Sequence, residues 1–193
     1  MICIKLDTYL NDIIIDFHLL HQLNTLPEDL RKEIYIFPTS FYKRFCDIER
    51  TQKGENISAL SKSAQMHYGV KRWTNTIDIF EKKMLIYPIC ELAHWYLIVI
   101  VSPEFLIGTS RQQETTVIVL DSIGGDYGQK AGELIKLYLK EELREKKNIS
   151  FNTEGIKILA PKCPKQNDGS SCGIFILHYT EMILNRWGRH STI

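Results

Sequence analysis

Apolar residues recur at helical spacing in two long stretches of the chain. Residues 9–23 predict a first helix, because their apolar positions lie three and four residues apart. The predicted buried face of this helix consists of Leu10, Ile13, Ile14, Phe17 and Leu20. Asn11 or Asp12 can cap the helix, since their side-chain oxygens accept hydrogen bonds from the first amides. Residues 131–147 show a second amphipathic pattern, with lysines and glutamates on the polar face.

Short runs rich in β-branched and aromatic residues predict five strands. The predicted strands are Ile34–Phe37, Met84–Ile89, His94–Val101, Thr116–Asp121 and Ile156–Leu159. The runs at 94–101 and 116–121 are apolar almost throughout, which is typical of central strands buried on both faces.

The remaining segments have weaker patterns. Asp47–Gln65 is polar and without a clear period, so we expect a surface loop with at most a helical turn. Val70–Ile77 is predicted to be a helix that carries Trp73 into the core. Ser122–Gly128 is a Gly-rich turn without the spacing or basic residue of a phosphate-binding loop. Ile174–Leu184 is predicted to be a buried helix.

Composition narrows the function classes. The 193 residues are 44% hydrophobic and 24% charged, as in an ordinary globular protein, and we expect one domain over residues 1–193. A net charge of +1 carries no signal for nucleic-acid binding, and no apolar run is long enough to cross a membrane. Five scattered cysteines are typical of free thiols in a reducing compartment. Cys90 and His94 have a ligand-like spacing, but no second pair mirrors it, so we expect no metal.

The connection between two central strands brings a histidine close to an aspartate. Residues 102–115 are few enough for a hairpin, in which Val101 would face Thr116. An antiparallel register then places His94 opposite position 123, within a step or two of Asp121. The hairpin assumption alone predicts this imidazole–carboxylate pair.

A polar stretch at residues 166–173 lies between Pro164 and the apolar run that begins the last helix. Cys172 therefore stands where a loop becomes a helix. The first helical amides have no internal partners and carry partial positive charge, so a thiol there loses its proton more easily. For a cysteine taken alone, a small buried core residue is the better interpretation.

Four residues together supply the parts of a cysteine nucleophile site. His94 is the candidate base for Cys172, Asp121 would orient the imidazole, and the Gln166 amide could donate to an oxyanion beside the Cys172 backbone amide. Taken singly, His94 and Asp121 are better interpreted as a hydrogen-bonded histidine at a strand edge and a turn-initiating aspartate, and Gln166 as an ordinary surface glutamine. His178 is a rival base, but it follows the cysteine by six positions on the same helix and would not meet it easily.

Motifs at these positions resemble a known family. The segments Tyr9-Leu10-Asn11-Asp12, His94-Trp95, Leu120-Asp121-Ser122 and Gln166 to Cys172-Gly173 are similar, in order and spacing, to the motifs of the ubiquitin-like-protein-specific proteases, the Ulp/SENP family. The similarity runs from about residue 6 to residue 184. It implies an α+β, papain-like cysteine protease fold. In that fold a central, mostly antiparallel sheet is flanked by helices and the nucleophile stands at a helix N-terminus.

The resemblance also implies a reaction and a set of roles. The expected enzyme is a SUMO-specific thiol isopeptidase that cleaves after a C-terminal Gly-Gly, acts as a monomer without a cofactor, and works in the nucleus or also in the cytoplasm. By resemblance His94, Asp121 and Cys172 form the triad and Gln166 helps to bind the oxyanion. Trp95 would cover the narrow Gly-Gly tunnel and Tyr9 would help to close it. Asp12 would lie near the bound SUMO.

Three features depart from the family pattern. Tyr9 stands where many members have tryptophan, and this opening motif looks more like that of the branch that trims poly-SUMO chains. Ser171 replaces the aspartate that usually precedes the nucleophile. Family domains usually continue for another helical segment after the cysteine helix, and residues 185–193 do not resemble it, so we expect that segment to be lacking.

Other functions remain open at this point. The same chemistry could act on another ubiquitin-like modifier such as NEDD8. A family member could instead hold SUMO without cutting it, as a catalytically weak binding module. The motifs could also be coincidental in a plain α/β interaction domain, which would leave the Cys172 thiol far from the His94 ring.

Overall fold

The computed structural model describes residues 8–51, 57–107, 114–153 and 156–190. In these ranges the helices are α1 (Asp12–Asn24), α2 (Glu28–Lys32), α3 (Ser40–Cys46), α4 (Ile48–Thr51), α5 (Lys62–Tyr68), α6 (Tyr127–Lys147) and α7 (Cys172–His190). The strands are β1 (Ile34–Ile36), β2 (Met84–Glu91), β3 (His94–Val101), β4 (Thr116–Leu120) and β5 (Lys157–Leu159). None of the described helices is long and apolar enough to cross a bilayer.

The five strands form one sheet in the order β1-β2-β3-β4-β5. The two long ladders, β2–β3 and β3–β4, are antiparallel, whereas the short edge strands β1 and β5 pair in parallel. Val101 pairs with Thr116, which confirms the register predicted from the hairpin assumption. The β2–β3 turn consists of Leu92 and Ala93, both with positive φ (49° and 61°), as a two-residue hairpin of matching twist requires.

The sheet is covered on both faces. Alternate residues of β3 point to opposite sides: Tyr96 and its companions join a core that includes α6, while Leu97 and its companions join a second core with α1 and α7. The side chains of residues 95–100 are therefore all buried, which confirms that this strand is central. The two cores cover both faces of the sheet, and His94 lies at an end of β3.

Helix α1 buries a different face from the one predicted. Ile15 and Leu19 are fully buried against α7 and the sheet, whereas Ile13, Phe17 and Leu20 are each more than half exposed. The prediction holds for Leu10 and Ile14, which pack in this core, and was wrong for Ile13, Phe17 and Leu20. The helix is apolar nearly all round, so spacing alone does not select a face. It begins at Asp12 rather than at residue 9, and the predicted cap is confirmed, since the Asn11 side chain accepts from the Ile14 amide at 3.0 Å.

The segment before β2 contains more helix than predicted, and its helices lie at other positions. Helices α4 and α5 lie in the stretch expected to be a loop, and residues 52–56 of that stretch lie outside the described residues. The helix predicted at Val70–Ile77 is instead a short 3₁₀ turn, Lys71–Thr74. Lys146 donates to the backbone oxygens of Thr74 and Ile77 and so ties the end of this turn to α6.

A buried carboxylate ties this segment to α6. Glu142 accepts from His67 Nε2 and Thr74 Oγ1, each at 2.6 Å, and pairs with Lys146 at 2.8 Å. Burial alone would raise the pKa of Glu142, but these hydrogen bonds outweigh it and hold the pKa below its ordinary value. The stabilisation is present at neutral pH and is lost as the pH falls through the lowered pKa.

The last helix is longer than predicted. α7 begins at Cys172, as expected for a loop-to-helix boundary, and ends at His190 rather than at Leu184. Residues 185–190 continue α7 and remain attached to the body of the protein, since Trp187 Nε1 donates to Glu33 at 3.1 Å. The lack of a further helical segment after this helix stays a prediction.

Removing the buried Glu142 carboxylate should destabilise the fold strongly. Glu142→Ala leaves His67 and Thr74 without their acceptor and removes the carboxylate that pairs with Lys146. We expect it to lower the free energy of unfolding by about 3–5 kcal/mol in denaturant titrations. Glu145→Ala is the matched control on the same helix, because the Glu145 side chain is 52% exposed and lies 3.4 Å from Lys71. That control should cost at most about 1 kcal/mol. Equal losses for the two variants would contradict the account.

Candidate active site

Cys172 is the first residue of α7 and its side chain is 1% exposed. α7 packs against α1 and β3, so this end of the helix lies against the sheet. A Cβ at Gly173 would come within 3.0 Å of Leu10 Cβ, so the close approach of α1 depends on the absence of a side chain there. Burial raises the pKa of the Cys90 thiol, and the neighbouring Cys172 adds to the rise.

His94 and Asp121 are in contact. His94 Nε2 lies 2.8 Å from Asp121 Oδ1, at the ends of β3 and β4 that the shared register brings together. His94 Nδ1 is buried and has no hydrogen-bond partner among the described residues. When Nε2 donates its proton to the carboxylate, a neutral imidazole keeps its lone pair on Nδ1. That unpartnered nitrogen is the atom that can accept a proton.

The turn after β4 keeps the Asp121 carboxylate charged. Burial alone would raise the pKa of Asp121, but hydrogen bonds from the Ile123 amide (2.9 Å) and from His94 outweigh it and lower the pKa. Gly124 permits this turn, since its φ of +86° is rarely adopted by other residues. The carboxylate is therefore ionised at neutral pH and can stabilise a protonated His94.

Gln166 lies beside this turn. Its backbone amide donates to the Ser122 carbonyl oxygen at 3.1 Å, and its side-chain Oε1 accepts from the Ser122 hydroxyl at 2.6 Å. Its Nε2 donates to the Asp168 carbonyl oxygen at 2.7 Å. A primary amide nitrogen carries two hydrogens, so this contact leaves one for a substrate oxygen.

Asp168 orders the residues that lead into the cysteine helix. The Asp168 carboxylate accepts from the backbone amides of Ser170 and Ser171 at 2.8 and 2.7 Å, and from the Ser171 hydroxyl at 2.7 Å. These bonds hold the pKa of Asp168 below its usual range. Ser171 itself carries no charge, but its bonds hold the Asp168 carboxylate close to the start of α7. There the negative charge complements the helix dipole.

Tyr9, Asp12, Cys90 and Trp95 help to line a cavity of about 540 Å³. Trp95 is almost fully buried and its indole nitrogen donates to the Leu10 carbonyl oxygen at 3.0 Å, so the ring is held against the start of α1. Tyr9 is about half exposed. The three residues predicted to contact the modifier therefore share one cavity, next to the strand position that bears His94.

Some of the residues predicted from the sequence are in contact in the structure and others are not. His94 contacts Asp121, and Gln166 contacts the residue after Asp121, whereas the rival base His178 is exposed on α7 with Glu181 at 3.7 Å. Sequence reasoning missed the contacts made by Leu10, Ser122, Lys165 and Asp168. The Ser122 contact had a signal, since this serine directly follows the predicted acid. Backbone contacts such as the Leu10 carbonyl have no sequence signature.

Known proteins resemble this chain over most of its length. Residues 8–188 match the Ulp1 protease family, C-terminal catalytic domain. The ubiquitin-like-specific protease 2 of Schizosaccharomyces pombe is 31% identical over 206 residues, which cover 91% of this chain and 31% of that protein. The human sentrin-specific protease 7 is 27% identical, covering 93% of this chain and 22% of that protein. The chain spans about a fifth to a third of these relatives.

Solved structures share the fold. One described as a de-sumoylating protease has a TM-score of 0.72 at 20% identity, covering 95% of this chain and 74% of the other. The C-terminal Ulp1 protease domain in complex with Smt3, the yeast orthologue of SUMO, has a TM-score of 0.60 at 20% identity, covering 92% and 66%. At this identity the similarity concerns the fold, and it supports the α+β, papain-like architecture expected from the resemblance.

The contact with Asp121 predicts the tautomer of His94. Long-range ¹H–¹⁵N spectra of protein labelled at histidine nitrogens should show neutral His94 protonated at Nε2, because Asp121 accepts that proton. His178 is the internal control: its side chain is 57% exposed, so it should show a mixture of tautomers. A neutral His94 protonated at Nδ1 would contradict the arrangement.

Proposed function

Because the chain belongs to the Ulp1 protease family, we propose that it is a thiol isopeptidase that removes SUMO from lysine side chains. The observation that carries the proposal is the pair His94–Asp121, whose free Nδ1 and ionised carboxylate are what a cysteine nucleophile needs from its partners. The start of α7 supplies the thiol of Cys172, and Gln166 supplies an amide donor.

Each proposed step is assigned to named atoms. His94 Nδ1 takes the thiol proton while Cys172 Sγ attacks the carbonyl carbon of the C-terminal glycine. The oxyanion that forms accepts hydrogen bonds from the Cys172 backbone amide and Gln166 Nε2. The C–N bond then breaks, and the protonated His94 delivers its proton to the departing lysine nitrogen. Water, deprotonated by His94, attacks the thioester, which releases the carboxylate and restores the thiol.

The cavity beside Trp95 supports a narrow substrate tail. Trp95 is fixed by its bond to the Leu10 carbonyl oxygen, and Tyr9 lies at the same cavity. A chain passing between these rings would have room only for residues without side chains, which fits a Gly-Gly terminus. Asp12, exposed at the cavity edge, would meet the folded part of SUMO.

Finer features of the function rest on the resemblance. SUMO chains are proposed as substrates because the opening motif looks like that of the chain-trimming branch. Action in the nucleus stays a prediction of the same kind. Activity as a monomer and the absence of nucleic-acid binding also stay predictions, and the latter rests on the net charge of +1. NEDD8 cleavage and SUMO binding without cleavage are alternatives that the experiments below separate.

A panel of electrophilic probes tests the modifier. SUMO, NEDD8 and ubiquitin that end in a Gly-Gly electrophile are each incubated with the protein, and adducts are counted by mass spectrometry. We expect a SUMO adduct on wild type and none on Cys172→Ala, with Cys90→Ala as the matched thiol control that still reacts. A NEDD8 adduct without a SUMO adduct would mean that the modifier is NEDD8 rather than SUMO. SUMO binding without any adduct would indicate a binding module.

The Asp121→Asn variant tests whether this carboxylate takes part in catalysis. Asp121→Asn keeps the shape but removes the charge that stabilises protonated His94, and we expect kcat for a SUMO–lysine conjugate to fall by about 10²-fold or more. Because the pKa of Asp121 lies below its ordinary value, protonation of this carboxyl should not limit wild-type activity at or above about pH 5. A loss smaller than threefold would show that Asp121 is not part of the machinery.

A further inference from the structure

Ser122 connects the two halves of the active site. It directly follows Asp121, is 1% exposed, and contacts Gln166 twice: through its carbonyl oxygen, which accepts from the Gln166 amide, and through its hydroxyl, which donates to Gln166 Oε1 at 2.6 Å. The first contact fixes the backbone and the second fixes the side chain. No step of the proposed mechanism uses this hydroxyl directly.

We propose that Ser122 is a positioning residue that holds the Gln166 amide with its nitrogen turned outward, ready to donate to the oxyanion. The inference rests on the proposed function, in which Gln166 is an oxyanion donor. The turn after β4 then has two roles. It positions the ionised Asp121 carboxylate beside His94, and one residue later it orients the Gln166 side-chain amide.

The orientation of the amide is a choice between two rotamers. Turning the terminal amide by 180° exchanges its oxygen and nitrogen, and only one arrangement gives the oxyanion an N–H donor. The observed arrangement is held at both ends: the Ser122 hydroxyl donates to Oε1, and the Asp168 carbonyl oxygen accepts from Nε2. The turned arrangement would set Oε1 against the Asp168 carbonyl oxygen, two acceptors without a proton between them. Without the hydroxyl, one of the two restraints is lost.

The segment that bears Gln166 is itself braced against the turn. Cys163 Sγ and Lys165 Nζ each donate to the Asp121 carbonyl oxygen at 3.1 Å, and the Tyr179 hydroxyl of α7 donates to the Pro164 oxygen at 2.6 Å. The backbone on both sides of the Ser122–Gln166 contact is therefore held without the hydroxyl. For this reason Ser122→Ala should leave the fold and the position of Asp121 intact while freeing the amide.

The kinetic test is a double-mutant cycle on cleavage of a SUMO–lysine conjugate. Gln166→Ala should lower kcat by about 10²–10³-fold, the usual cost of losing one oxyanion donor. Ser122→Ala should lower kcat by about tenfold with KM unchanged, since a misdirected donor is still present. In the Gln166→Ala background, Ser122→Ala should have no further effect, because Ser122 acts only through that amide. Losses that multiply would overturn the inference.

Alkylation of Cys172 by iodoacetamide separates this role from damage to the triad. Alkylation depends on Cys172 and its histidine but forms no oxyanion, so Ser122→Ala should leave its rate and pH profile unchanged. A slower rate or a shifted profile would mean that Ser122 acts through Asp121, which contradicts the inference. Ser122→Thr retains the hydroxyl and should recover most of kcat.

An NMR measurement tests the inference independently of the substrate. The ¹⁵N order parameter of the Gln166 side-chain amide should be high in wild type and Ser122→Thr, and clearly lower in Ser122→Ala. Ser63→Ala is the matched control, since Ser63 also donates a hydroxyl bond of 2.6 Å, to Glu141, away from the site; it should change neither kcat nor the Gln166 amide. An amide equally ordered in wild type and Ser122→Ala would overturn the inference. Wild type that cleaves no SUMO conjugate would refute the proposed function alone.

Discussion

The antiparallel register between β3 and β4 is the constraint on which the site depends. Once Val101 pairs with Thr116, the opposite ends of the two strands must meet, and His94 comes to lie 2.8 Å from Asp121. A shift of one residue would turn every side chain of β3 to the other face. The two cores that bury both faces of this strand therefore also secure the pairing of the imidazole with the carboxylate.

A second set of contacts joins this pair to the cysteine helix. The turn after β4 holds segment 163–166 through the Asp121 carbonyl oxygen and through Ser122, and Tyr179 ties the same segment to α7. The acid thus comes from a segment far in sequence from the one that bears the amide donor and the nucleophile, but the braced turn joins the two segments. Such bracing matters because small displacements of catalytic groups are costly.

The central part of this arrangement could be predicted from the sequence. Continuous apolar runs identified β3 and β4, a short connection set their register, and the polar stretch before an apolar helix identified the start of α7. The buried face of α1 could not be predicted, because apolar residues surround that helix and only its partners choose between Ile15 and Phe17. The prediction for the segment before β2 failed for another reason. The conformation of this segment depends on Glu142 and Lys146, which lie some seventy residues later. Likewise, the role of Ser122 follows from a contact with a residue 44 positions away.

The most direct test of the account is a crystal structure of this protein joined to SUMO that ends in a Gly-Gly aldehyde. We expect a hemithioacetal on Cys172 whose oxygen lies about 2.7–3.1 Å from both the Cys172 amide and Gln166 Nε2. His94 Nδ1 should face the sulfur while Nε2 keeps its bond to Asp121. An oxygen directed to solvent, with the Gln166 amide turned away or His94 parted from Asp121, would contradict the account.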